Sequence, residues 1–237
     1  MTNKFWKFVT EDGCSPRVYD SIKYIPGETI EIKDADPDKT LQCSSGIHCL
    51  YFSDEQYNEY NVLFGPKVAI LEVNEEDIIF YENNGKCRVR KAKVLEVKEP
   101  EIWMRTGNGN PTWALNCVRY CGHHPDVMQV VIDSGSKEDS YWYAKDILKG
   151  HDYRLMQVFI DDQNPLWAYY YALNILKGHD ERLMQIIIDE QNAHYAYYYA
   201  YYIIKGHNEK LMEIVNNDYY YKILYEKDIL NKEKNND

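Results

Sequence analysis

Apolar positions follow two different periods along this chain. Up to about residue 98 they come in short runs cut by turn signals at Tyr24-Ile25-Pro26-Gly27, Asp34-Ala35-Asp36-Pro37, Phe64-Gly65-Pro66 and Asn83-Asn84-Gly85. That spacing predicts strands rather than helices. The expected strands are Thr29–Ile32, Val68–Val73, Ile78–Tyr81, Cys87–Arg90 and Lys93–Val97, several with the period-two alternation of a half-buried sheet. Asn84-Gly85 between two of these runs predicts a hairpin. Ser53, with Gln56 at the capping-box position, opens an expected helix from Ser53 to Tyr60.

The second half repeats one phrase at a fixed spacing of 28 residues: Cys121-Gly122-His123-His124-Pro125, Lys149-Gly150-His151-Asp152, Lys177-Gly178-His179-Asp180 and Lys205-Gly206-His207-Asn208. A Met follows six positions after each Gly, at Met128, Met156, Met184 and Met212. A period of this length predicts a stacked array of helical hairpins, and such arrays are mostly binding scaffolds. Within each unit the Gly is expected to end a first helix in the left-handed conformation. Asp152, Asp180 and Asn208 then cap a second helix, and Pro125 takes the first helical position in the first unit. Leu155-Met156, Leu183-Met184 and Leu211-Met212 start the buried stripe of the second helix, and Ala144, Ala172 and Ala200 mark close approach on the first.

Pro100 and the stretch Gly107-Asn108-Gly109-Asn110-Pro111 interrupt both patterns. The expected organisation is a β-rich domain over 1–98, a linker over 99–111, a helical repeat domain with a C-terminal capping helix over 112–230, and a polar tail over 231–237. The expected fold class is α+β, with an all-α helical-hairpin solenoid of four 28-residue repeats following the β-rich domain.

The first helices carry aromatic triplets, Tyr141-Trp142-Tyr143, Tyr169-Tyr170-Tyr171 and Tyr197-Tyr198-Tyr199. Three successive helical residues sweep about 300° at roughly 100° each, so one neighbour cannot bury all three. Trp142, Tyr170 and Tyr198 lie farthest from the Ala and Ile stripe and form the expected exposed ladder, a surface suited to a protein partner. The competing reading is that tall rings only fill gaps between stacked units. Arg154, Arg182 and Lys210 precede the Leu of each second helix and are expected to point outward as a basic row beside that surface. The repeated histidines, one per unit, are read as joint residues. Stacked helices lie roughly 10 Å apart, whereas zinc ligands converge to about 2 Å from one ion.

Composition narrows the partner. The 237-residue chain is 45% apolar, enough for a real core, and its net charge of −11 with pI near 5.1 argues against a nucleic-acid backbone. The sequence has no run of 18 or more apolar residues and no signal-like N-terminal stretch, so a cytoplasmic protein with no membrane partner is expected. Six cysteines without a CxxC pair are expected to be free thiols, and neither a metal nor a cofactor is expected.

Two resemblances bear on the N-terminal half. Tyr24-Ile25-Pro26-Gly27-Glu28, Leu41-Gln42-Cys43-Ser44-Ser45-Gly46-Ile47-His48, Val68–Val73, Lys86-Cys87-Arg88 and Lys91-Ala92-Lys93-Val94 together resemble a small domain of phage and giant-virus proteins with a C-x-x-G-x-H centre. That likeness implies a viral source, in host cytoplasm or virion, and no particular activity. Separately, Ser45–Ser53, a helix through Tyr60 and a strand at Val68–Val73 are similar in order to the core of ADP-ribosyltransferases. This second likeness implies that Ser53 and Tyr60 border a nicotinamide pocket, although the family's ribose-gripping His-Gly has no counterpart before Tyr24. Cys43 and His48, which cluster in sequence with Cys49, join Ser53 and Tyr60 as the alternative N-terminal site. The leading expectation is a non-enzymatic scaffold that binds a host or viral protein through its aromatic face, with self-association as a further mode. The alternative is an ADP-ribosyltransferase-like or other nucleotide-binding domain targeted by the repeats.

Overall fold

The computed structural model describes residues 2–16, 22–38, 44–52, 62–81 and 85–231. The chain is α+β and divides into two compact units, Met1–Val130 and Val131–Asp237. Among the described residues there are seven strands: β1 (Thr2–Val9), β2 (Thr29–Glu31), β3 (Ile47–Tyr51), β4 (Lys67–Asn74), β5 (Ile78–Tyr81), β6 (Lys86–Val89) and β7 (Lys91–Lys98). They form one antiparallel sheet in the order β2-β7-β4-β1-β3-β6-β5. Ten α-helices follow: α1 (Ile102–Thr106), α2 (Pro111–Cys121), α3 (Pro125–Asp133), α4 (Lys137–Trp142), α5 (Tyr153–Asp162), α6 (Pro165–Tyr171), α7 (Glu181–Asp189), α8 (Ala193–Tyr198), α9 (Glu209–Val215) and α10 (Tyr219–Tyr225).

Strand alternation sorts the sheet's side chains into two cores. Phe5, Val9, Ala69, Leu71, Val73, Cys49, Cys87, Val89 and Val94 pack on one face. Trp6, Phe8, Val68, Ile70 and Leu50 pack on the other, where Met104 of α1 and Trp113 and Cys117 of α2 cover them. The central strands are thus buried on both sides, and this is why β4 reads as the unbroken apolar run Val68-Ala69-Ile70-Leu71. All five expected strands are present, with the ends moved by a residue or two. β5 and β6 pair antiparallel as a hairpin would, with Gly85 at φ 79°, while Asn84 and the helix expected over Ser53–Tyr60 lie outside the described residues.

Residues 99–111 do not behave as a free linker. Met104 of α1 is fully buried, and Trp113 at the start of α2 donates its indole N–H to the Met104 carbonyl at 2.8 Å. Gly107 closes α1 at φ 54°, and a Cβ there would meet the Trp113 ring at 2.5 Å, so only glycine fits. Trp6, Trp103 and Trp113 pack edge to face around this point. Large aromatic burial outweighs the Pro and Gly signals that marked the segment as a junction.

In the second unit each even-numbered helix from α4 to α10 runs on into a π-helical stretch: Tyr143–Leu148, Ala172–Leu176, Tyr199–Ile204 and Glu226–Leu230. Their N-caps are Ser136, Asn164, Asn192 and Asp218, spaced 28, 28 and 26 residues apart. Of the four expected left-handed glycines, Gly122 ends α2 at a positive φ of 78°, while the three in the later joints do not turn the chain. Lys149, Lys177 and Lys205 take the positive φ, at 52°, 55° and 60°, and the Gly after each does not. The π turn makes the last loop of helix one residue wider. The carbonyls of Ala144, Ala172 and Ala200 therefore accept both the Lys N–H and the following Gly N–H, the latter at 3.1, 3.2 and 3.3 Å. Reversal of the chain falls on the residue before the glycine.

Candidate functional site

The joints between helices set the rotation of the aromatic triplets. Asp152 accepts the N–H groups of Arg154 and Leu155, Asp180 those of Arg182 and Leu183, and Asn208 that of Leu211, each capping the next helix. A tyrosine from the helix after next then closes each joint. The Tyr171 hydroxyl donates to the Asp152 carbonyl at 3.2 Å, accepts the Asp152 N–H at 3.4 Å and lies 3.1 Å from His151 Nδ1. Tyr199 does the same at Asp180 and His179, and Tyr225 at Asn208 and His207. With the phenol proton on the carbonyl, each His Nδ1 carries the proton it gives to the phenol oxygen. Burial pushes the Tyr171 and Tyr199 phenols up to about 12.

Because Tyr171 and Tyr199 are inserted in joints, the first member of each of their triplets turns inward and the middle member is left outermost. Tyr143, Tyr171 and Tyr199 are fully buried, and Tyr141, Tyr169 and Tyr197 nearly so. Trp142 and Tyr198 are half-buried and Tyr170 is 40% exposed. The three are the most open members of their triplets. Trp142 packs on Tyr141 and lies under the Lys145 ammonium at 4.7 Å. Tyr170 and Tyr198 are joined through Tyr169, which touches both, at 5.4 and 6.2 Å between ring centroids.

Around Tyr198 the surface is broader than one ring per unit. Tyr202, 47% exposed, stacks on Tyr198 at 5.8 Å, and His194 packs edge to face on Tyr195, Tyr198 and Tyr221. The His194 Nδ1 and the Tyr221 hydroxyl are hydrogen-bonded at 2.5 Å. Tyr197 beneath them donates to Asp228 at 2.9 Å, and burial together with that carboxylate raises its phenol. Tyr195, Tyr202 and Tyr221 were not singled out in the sequence. The signal for Tyr202 was available: it stands one helical turn after Tyr198, where the two preceding units have Asp146 and Asn174.

The basic row is exposed but not free. Arg154 and Arg182 fold back on the carboxylates that cap their own helices, Asp152 at 3.2 Å and Asp180 at 3.0 Å, and Arg182 also lies over the Tyr153 ring. Lys210 is exposed on a helix capped by Asn208, which offers no carboxylate for such a pair.

Of the alternative site only His48 can be placed, since Cys43, Ser53 and Tyr60 lie outside the described residues. His48 stands on β3 opposite Arg88 of β6, with Nε2 2.8 Å from the Ser44 carbonyl, which makes Nε2 the protonated nitrogen. Burial pushes its pKa down to about 4, helped by the charges of Lys86, Lys7 and Arg88, so the ring is neutral at physiological pH. Lys86 and Arg88 are themselves buried, Arg88 donating to the Asp38 carbonyl and Lys7 to the His48 carbonyl. Among the described residues no cluster of three or more His, Cys, Asp or Glu could hold a metal ion, and no helix is long and apolar enough to cross a membrane.

Fold and face together define a class and no more: an α+β protein with an antiparallel sheet and a helical region that carries packed, partly exposed tyrosines. Comparison with protein-family models, with curated proteins and with solved structures gave no match.

Proposed function

We propose that the chain is a non-enzymatic scaffold that holds a protein partner on the aromatic face of its helical region. In this reading the 28-residue phrase builds four stacked helical hairpins, a solenoid whose last helix is α10 with its π extension. The carrying observation is the ring-to-ring cluster around Tyr170, Tyr198 and Tyr202, in which exposed tyrosines sit on buried ones. Rigid aromatic rings on a fixed frame offer contact area at little entropic cost, and such residues dominate interface energies. The frame is fixed here by the His-Tyr joints, so the rings are organised before any partner arrives.

Affinity capture with full-length protein, followed by measurement of the recovered partner's Kd, tests this. Changing Trp142, Tyr170 and Tyr198 together to Ala is expected to weaken binding by about 100-fold or more, at roughly 1 kcal/mol or more for each anchoring ring. A second variant, Tyr170→Ala with Tyr202→Ala, removes two exposed rings and leaves the buried ones intact. Unchanged affinity in both variants, with helical circular dichroism preserved, sinks the proposal.

A further inference from the structure

α2 carries two thiols one turn apart, Cys117 and Cys121, with sulfur atoms 3.6 Å from each other. Cys117 is fully buried in the core beneath Trp113, and Cys121 is half-buried at the end of the helix. The Cys121 sulfur also lies 3.3 Å from the Gly65 carbonyl. Gly65 is held hard against the sheet, since a Cβ there would sit 2.2 Å from the Val9 carbonyl oxygen. Helix and sheet together therefore fix the pair.

The helix does not let the two sulfurs join directly. A disulfide needs Cβ atoms about 3.5–4.5 Å apart, and residues i and i+4 on a helix hold theirs about 5–6 Å apart. One bridging atom supplies the missing length. Arms of about 2.3 Å, the length of a zinc–thiolate bond, reach sulfurs 3.6 Å apart when the angle at the bridging atom is about 100°. That angle belongs to a pyramidal or tetrahedral centre. A linear two-coordinate ion with arms of the same length would need the sulfurs about 4.6 Å apart.

We propose that Cys117 and Cys121 form a chelating site for a single soft, thiophilic centre of bent geometry, the class to which monosubstituted trivalent arsenicals belong. The hydrogen bond from Cys117 holds the Cys121 thiol below its ordinary pKa, and the same bond with burial pushes the Cys117 thiol up. Cys121 is thus the first to attack as a thiolate, and it is the more accessible of the two. With phenylarsine oxide two arsenic–sulfur bonds form and the arsenic–oxygen bond breaks. Both thiol protons leave with that oxygen as water, and no oxidation state changes. Among the described residues no third His, Cys, Asp or Glu completes a cluster with the pair, so the remaining position on arsenic is left to its organic group.

Full-length protein titrated with phenylarsine oxide is expected to take up one equivalent, to keep it against excess monothiol and to release it to dithiothreitol. Peptide mapping of the unsubstituted protein should place the adduct on the segment containing both Cys117 and Cys121. Cys117→Ser and Cys121→Ser should each weaken uptake by about 100-fold or more, because each converts a two-point attachment into a one-point one. Cys49→Ser, which breaks the facing pair Cys49 and Cys87 on β3 and β6, should leave it unchanged. Three outcomes overturn the site: an adduct mapped to Cys49 or Cys87, full uptake by both Ser variants, or no uptake while iodoacetamide labels Cys121. The mapping uses the native chain and stands whether or not the variants fold.

Discussion

Lys149, Lys177 and Lys205 hold the left-handed conformation that an L-residue reaches at a cost of about 1–2 kcal/mol. Glycine reaches it freely but loses about 0.5–1 kcal/mol more entropy on folding, so Lys177→Gly should stabilise the protein by about 0.5–1 kcal/mol. At about 2–4 °C per kcal/mol for a chain of this size, that is a rise of about 2 °C in Tm, read by circular dichroism. The neighbouring Gly178→Ala should be tolerated, because Gly178 lacks a positive φ and a Cβ there would only touch the Leu176 carbonyl at 3.9 Å. The reverse pattern, with Lys177→Gly destabilising and Gly178→Ala severe, would restore the glycine as the turning residue. Residue types alone pointed to the glycine, since Gly is the usual left-handed cap. They did not show the π turn, which moves the reversal by one position. The caps Asp152, Asp180 and Asn208 were legible, because a side-chain acceptor at a helix start acts through neighbouring N–H groups and needs no tertiary information.

At the scale of elements, the joint is held by one hydroxyl with three partners. Tyr199→Phe leaves the Asp180 N–H, the Asp180 carbonyl and His179 Nδ1 without that oxygen in a place water does not easily reach. Unsatisfied buried groups cost about 1–3 kcal/mol, so a loss of about 2 kcal/mol is expected in urea unfolding. Tyr198→Phe, one residue earlier and half-buried, should change stability by no more than about 0.5 kcal/mol. Equal losses from the two would mean that the joint hydroxyl is not special. The pairing of His151 with Tyr171 was invisible in sequence because it ties a joint residue to the end of a helix 20 residues further on; periodicity gave the histidine's place at the joint and not its partner. β1 was missed for a related reason. Phe5-Trp6-Lys7-Phe8-Val9 has apolar side chains on both faces and no turn signal in front of it, so no alternation marks it, yet it is the central strand. The strands that were found have recognisable turns beside them.

At the scale of the whole molecule, the perturbed groups bound a pH window of stability. Tyr169, Tyr171 and Tyr199 are pushed up to about 12 by burial, and Tyr24 and Tyr197 are raised as well. An unfolded chain releases phenol protons near pH 10, so above that point the folded state binds more protons than the unfolded one. Stability is then fully present below about pH 10 and is lost as pH rises toward 12. On the acid side His48 is pushed down to about 4 by burial, against about 6.5 when unfolded. Its contribution is present above about 6.5 and is lost as pH falls toward 4, before the lowered carboxylates Asp152 and Asp180 begin to matter. The acid limb belongs to the sheet unit, and the alkaline limb is carried mostly by the helical region, with Tyr24 its member in the sheet unit. Urea midpoints measured across pH should therefore be flat between about 6.5 and 10 and fall on both sides. His48→Gln should flatten the decline between about 6.5 and 4 and leave the alkaline limb untouched. Alkaline titration should show the last phenolate absorbance appearing together with loss of helical circular dichroism, because Tyr171 and Tyr199 cannot ionise in place without giving up the proton that holds the Asp152 and Asp180 carbonyls. Complete phenol ionisation with the helical signal intact would show that the joints open without unfolding the unit, and the frame proposed for the aromatic face would lose its rigidity.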